Sequence, residues 1–157
     1  MTQLATFDSA LSINPSSTQV DQFLGLDPRL PVVFVNLHEY YENARYPATY
    51  TAAGPTSVSG REAYHRYLQR VEQDYLPQVG AKFLIVAPCV LVMIGEGNWS
   101  EAVVGCYPSR AAAVQLPTLP GYADLQVHRI SGLKKALTIA LTEEAFARLP
   151  EALQPGR

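Results

Sequence analysis

AKFLIVAPCVLVMIGEGNWSEAVVGCYP, Ala81 to Pro108, is the stretch on which the fold turns. Two limbs rich in β-branched and apolar residues flank GEGNWS, and that composition predicts a β-hairpin. Phe83 to Val86 and Val90 to Ile94 are apolar at both strand parities, as in a strand covered on both faces. Pro88 has no N–H to give to a ladder, so a kink or bulge is expected there. A turn centred on Gly97 and Asn98 sets Cys89 opposite Cys106, which predicts two free, buried thiols as cross-strand neighbours.

Helical signals flank the hairpin. Upstream, SGREAYHRYLQRVEQDYLPQVG opens with Ser59 and Glu62 in capping-box spacing and closes at Gly80. Tyr64, Tyr67, Leu68, Val71 and Tyr75 recur at helical spacing between charged residues, and Pro77 predicts an irregular last turn. Downstream, Ser109 is placed to cap a second helical stretch, which Pro117 and Pro120 divide; its later piece, Tyr122 to Ser131, closes at Gly132. Beyond the helices lie VVFVNLH (Val32 to His38) and KKALTIALT (Lys134 to Thr142), both strand-like.

The order is therefore β-α-β-β-α-β, the split βαβ arrangement of a ferredoxin-like α+β domain with a four-stranded antiparallel sheet and two helices on one face. The barrel domain is expected over residues 32–142. Residues 1–31 form an extension with a short helix, Thr18 to Leu24, capped by Ser17, and residues 143–157 a terminal helix and tail. Two helices cover one face only, so an identical sheet from a second copy is the economical cover for the other, which predicts a homodimer.

At 157 residues and 48% apolar content one domain can bury an adequate core without staples. The two cysteines have neither C-x-x-C nor metal-ligand spacing, so no disulfide framework or zinc site is suggested and a reducing cytoplasm is the simplest location. No membrane-spanning run or export signal is apparent. A net charge of −2 gives no electrostatic reason to bind nucleic acid. HEYYE at 38–42 is not the H-E-x-x-H motif, GEGNWS leads into a strand and lacks the last glycine of a dinucleotide fingerprint, and no G-x-S-x-G occurs.

The chain resembles the family catalogued as domain of unknown function 1330, of the dimeric α+β barrel superfamily, from about Val32 to Leu141. The resemblance rests on VVFVNL, SGREAYHRY, VGAK, GEGNWSEAVV, CYPSRAAA and PGYADLQVHR in that order. It implies the ferredoxin-like fold and the dimer. The superfamily includes cofactor-free monooxygenases, muconolactone isomerase-like enzymes and haem-binding relatives, which place small ligands between sheet and helices or inside the barrel. The chain departs from the pattern at Ala81, where a second glycine is usual, and at Pro117, which interrupts the second helix.

Candidate site residues follow. Asn36 and His38 share strand parity with Val32 and Phe34, whereas Val33, Val35 and Leu37 make a wholly apolar stripe that belongs against helices. Asn36 and His38 are thus expected on the barrel side. Tyr122 and Arg129, which match positions the resemblance highlights, lie seven residues apart on one helical face, with His128 beside them. An arginine fork, a histidine and a tyrosine suit a small carboxylate or enolate. In this reading Arg129 orients a small anionic or aromatic ligand, His38 or His128 moves a proton, and Asn36 and Tyr122 donate hydrogen bonds. No cofactor and no metal are called for. The alternative is a dimeric accessory module whose polar residues only satisfy an interface.

Overall fold

The computed structural model describes residues 13–51 and 54–154. The expected extension and tail fall partly outside these residues, at 1–12 and 155–157. Within them, helix α1 (Ser17–Leu24) is capped by Ser16, one residue earlier than expected, in a reciprocal box with Gln19. Strand β1 (Val32–Tyr40) follows, then α2 (Gly60–Arg70), β2 (Lys82–Pro88), β3 (Glu101–Tyr107), α3 (Arg110–Gln115), α4 (Gln126–Gly132), β4 (Leu133–Leu141) and α5 (Glu143–Ala147).

Local signals set the helix ends. Ser59 accepts from the Glu62 amide while the Glu62 carboxylate accepts from the Ser59 amide, a complete capping box at the start of α2. Ser59→Ala is expected to lower stability by about 1 kcal/mol, read as a shift in the urea midpoint; an unchanged midpoint would show that packing alone holds this end. After Arg70 the helix widens into a π turn at Val71–Tyr75 and tightens into a 3₁₀ turn at Leu76–Val79, the irregularity that Pro77 predicts. Gly80 ends it at φ 68°. Ala81 needs no positive φ, so only the first position of the usual glycine pair demands glycine.

The sheet order is β2-β3-β1-β4 with every neighbour antiparallel, the ferredoxin-like arrangement. Its two faces differ from expectation. Val32 and Val103 are buried in the core with Tyr64, Tyr67 and Leu68 of α2, and Phe34 packs against it. His38 and Glu101, opposite each other in register, share that face. Asn36 and His38 therefore point toward the helices, not away from them. The apolar stripe Val33, Val35 and Leu37 lies on the open face, in line with Leu141, Ile139 and Leu137 of β4. The inversion has a simple cause: this protein places polar groups beneath its helices, so the purer hydrophobic stripe marks the face left open.

Among the described residues, that open face is covered only at one end by the chain itself. Lys82 Nζ donates to the Ala152 carbonyl at 3.1 Å, and the Cys106 thiol lies 3.9 Å from the Leu153 carbonyl. Ile85, Leu137 and Ile139 remain about half exposed. The N-terminal extension takes the other side, where Phe23 packs on Phe34 with ring centroids 5.6 Å apart.

The hairpin is shorter than its sequence suggests. β2 stops at Pro88, and residues 89–100 form an irregular arm. Cys89 is consequently not opposite Cys106, which pairs with Val33 and Lys82. Both thiols are free; Cys106 is buried and Cys89 only half-buried. Proline removes the next ladder donor, and the chain beyond it has no strand to add to.

At the far end of β1, two glycines bring backbones together. The Tyr41 amide donates to Gly132 and the Gly60 amide to Tyr41, at 3.0 and 3.1 Å. A Cβ on Gly60 would lie 2.7 Å from the Gly132 carbonyl oxygen, and one on Gly132 2.7 Å from the Tyr64 amide nitrogen.

Candidate functional site

Beneath the helices, α2 and β1 converge on the first residue of β3. The Glu101 side chain is fully buried, and both of its oxygens are engaged. Tyr40 donates to Oε2 at 2.5 Å, His65 Nε2 approaches the same oxygen at 2.7 Å, and Arg61 donates to Oε1 at 2.8 Å. Arg61 and His65, one helical turn apart on α2, reach the carboxylate from one face. Burial pushes the Glu101 carboxyl upward, but the hydrogen bonds from Tyr40, His65 and Arg61 together outweigh it and hold the group below its usual range. The acid is ionised at neutral pH.

His38 continues the network inward. Its Nδ1 lies 3.4 Å from the Tyr40 hydroxyl and its Nε2 3.5 Å from that of Tyr64, whose ring stands 4.7 Å from the imidazole. Because Tyr40 spends its proton on Glu101, its oxygen is free to accept, and this assigns the proton of His38 to Nδ1. Nε2 then carries the lone pair toward Tyr64. Burial, with the Arg129 charge nearby, lowers the His38 pKa to about 4, so the ring is neutral at physiological pH. Tyr40 and Tyr64 are held protonated, chiefly by burial. The result is a directed chain, Tyr64 to His38 to Tyr40 to Glu101, with the partly exposed His65 at its outer end.

The other expected residues are divided. Tyr122 is buried and its hydroxyl lies 2.5 Å from that of Tyr67, in a run of tyrosine rings that links Tyr64, Tyr67, Tyr122 and Tyr75. Arg129 donates to the Asn14 side chain at 3.0 Å and to the Ile13 carbonyl, so it ties the N-terminal extension to α4. Its charge acts on His38, Tyr64 and Tyr122. Asn36 shares the His38 face but bonds to its neighbours, donating to the Val103 carbonyl at 2.9 Å and accepting from Thr138 at 2.8 Å. His128 turns elsewhere: its Nδ1 meets the Tyr46 hydroxyl at 2.7 Å, with Tyr46 and Tyr50 stacked beside it and Arg66 donating to the same hydroxyl. The structure thus groups His38, Tyr122 and Arg129 and leaves His128 in a separate cluster with the Tyr46 loop.

Sequence reasoning did not bring Glu101, His65, Arg61, Tyr40 and Tyr64 together as a site. One signal was available: a carboxylate at the head of an otherwise apolar strand, and an arginine and a histidine four apart on the preceding helix. Among the described residues no group of histidine, cysteine and carboxylate side chains is arranged to hold a metal ion.

The sheet order and the helices packed on one face define the chain as a ferredoxin-like α+β protein. It is similar to the crystal structure of methylated RPA0582 protein, at 26% identity and TM-score 0.72 over 83% of this chain and 93% of that one. A second structure of RPA0582, a protein of unknown function from Rhodopseudomonas palustris, matches at 26% identity and TM-score 0.69, covering 83% and 95%. A dabb family protein with a ferredoxin-like fold from Mesorhizobium loti aligns at 11% identity and TM-score 0.45, over 72% and 96%. No protein-family model matches the chain, and no curated protein matches it.

Proposed function

We propose that this protein is a homodimeric α+β barrel of the domain of unknown function 1330 type that binds a small anionic or aromatic molecule between sheet and helices and moves a proton there without a cofactor. The supporting observation is the directed hydrogen-bond chain that runs from a neutral, buried His38 through Tyr40 to the ionised Glu101. A ligand that displaces the Tyr64 hydroxyl presents its acidic hydrogen to His38 Nε2. As that bond forms, the Nδ1 proton passes to Tyr40 and the Tyr40 proton to Glu101, so no imidazolium accumulates in the interior. Glu101 ends the chain as the acceptor of that proton. Arg129, whose charge already reaches His38, balances the anion formed, and Tyr122 adds a neutral donor.

The dimer reading is supported by the half-exposed stripe of Ile85, Leu137 and Ile139 on the open face. Native mass spectrometry of protein purified without added ligand tests both parts. A dimer that carries a reproducible extra mass is expected; His38→Gln should release that mass while the dimer persists, and Ile139→Glu should yield monomers. A bare monomer of the unaltered protein would overturn the reading.

A further inference from the structure

We propose that the apolar limb of the arm, residues 89–94, seats in the groove between α1 and α3 of a second copy of this chain. The limb is built to meet something. Val90 is 100% exposed, Ile94 95%, Met93 81% and Leu91 69%, a run that touches little of its own chain. Its base is nevertheless fixed: the Cys89 amide donates to the Ser100 carbonyl and the Ser100 amide to the His38 carbonyl, at 2.9 and 2.7 Å. At the tip Gly97 has φ 128°, a backbone conformation that favours glycine, with the Trp99 ring packed against it.

The groove offers matching chemistry. It is an open recess of about 400 Å³ between Phe23, Leu24, Leu26, Pro28 and Val114, with Arg110, Gln115 and Thr118 also lining it. Arg110 is buried, donating to the Asp27 carbonyl at 3.1 Å and to Glu143 at 3.3 Å, but its Nε has no partner. A buried donor left unpaired is costly, and a peptide carbonyl is a fitting acceptor. Mainly apolar walls with a few polar side chains suit an extended apolar segment. The limb from Cys89 to Ile94 is uncharged and has carbonyls to offer.

The match is between copies. Val32 pairs with Tyr107 and His38 with Glu101, so the groove flanks the end of the sheet where β1 begins, whereas the arm leaves from the other end. About 20 Å of strand separates the two ends. A protrusion on one molecule that fits a recess elsewhere on the next is a heterologous contact, distinct from the sheet stripe on which the dimer reading rests.

The test places a photoreactive benzoylphenylalanine at Met93 in the full chain. An equal mixture of nitrogen-15-labelled and unlabelled protein is irradiated, and the cross-linked peptides are mapped by mass spectrometry. Mixed-isotope links from Met93 to the α1 or α3 peptides are expected. Adding Val90→Asp, at a position too exposed to unfold the chain, should lower their yield about tenfold or more; Val114→Asp should do the same from the groove side. Links within one chain, links to β1 or β4 of the second copy, no links, or a yield indifferent to both aspartates would each overturn the proposal.

Discussion

Gly132→Ala is expected to destabilise the fold by about 3 kcal/mol or more, enough to remove a large part of a small domain's stability. Elsewhere in a helix the same change stabilises, since glycine is roughly 1 kcal/mol worse than alanine there. Here the added methyl would meet the Gly60 carbonyl oxygen, the Tyr64 amide nitrogen and the Tyr64 Cβ. Those atoms belong to the start of α2, which is pinned through Tyr41 to the end of β1, so nothing flexible can yield. Gly60→Ala should behave alike. Urea unfolding followed by circular dichroism measures both; an alanine variant as stable as the parent would mean that the junction is looser than its geometry states.

Glu101→Gln is the second large effect, with an expected loss of about 3 kcal/mol. Glutamine keeps the shape but brings an NH₂ group into a site where Tyr40, His65 and Arg61 all donate. With its NH₂ toward Arg61 the amide sets donor against donor; turned the other way it forfeits the charge that Arg61 pairs with and obliges Tyr40 and His65 to become acceptors. A pH series separates this from simple packing damage. The folded pKa of His38, about 4, lies below its ordinary 6.5, so between these values the unfolded chain binds the extra proton. Stability from this group is fully present above pH 6.5 and is lost as the pH falls toward 4, by about 3 kcal/mol in all. Glu101, also depressed, adds a loss below its ordinary carboxylate range with the same sign. Glu101→Gln should remove the second loss and retain the first, whereas His38→Gln should do the reverse. Stability of the unaltered protein that is flat from pH 7 to pH 4 would contradict the buried neutral imidazole.

The order of elements was legible because caps, proline breaks and strand composition are local properties: Ser59, Glu62, Gly80 and Ser109 act within a turn of their own positions. The orientation of β1 was not legible. Alternation shows that Asn36 and His38 share a face, but which face the helices take depends on where polar groups find partners, and those partners come from residues 61, 65 and 101. The β1–β3 register and the phase of α2 must both be known before His38, His65 and Glu101 become neighbours. The arm was misread for a related reason. An apolar run at both parities announces burial on two sides without saying whether the second side is a sheet, a strand partner or another molecule.

Glu101 also begins the strand into which the arm returns. A single peptide bond separates it from Ser100, whose amide holds the His38 carbonyl at 2.7 Å. In mechanical terms the arm has its pivot at Ser100, and a displacement there is felt at the backbone of both His38 and Glu101.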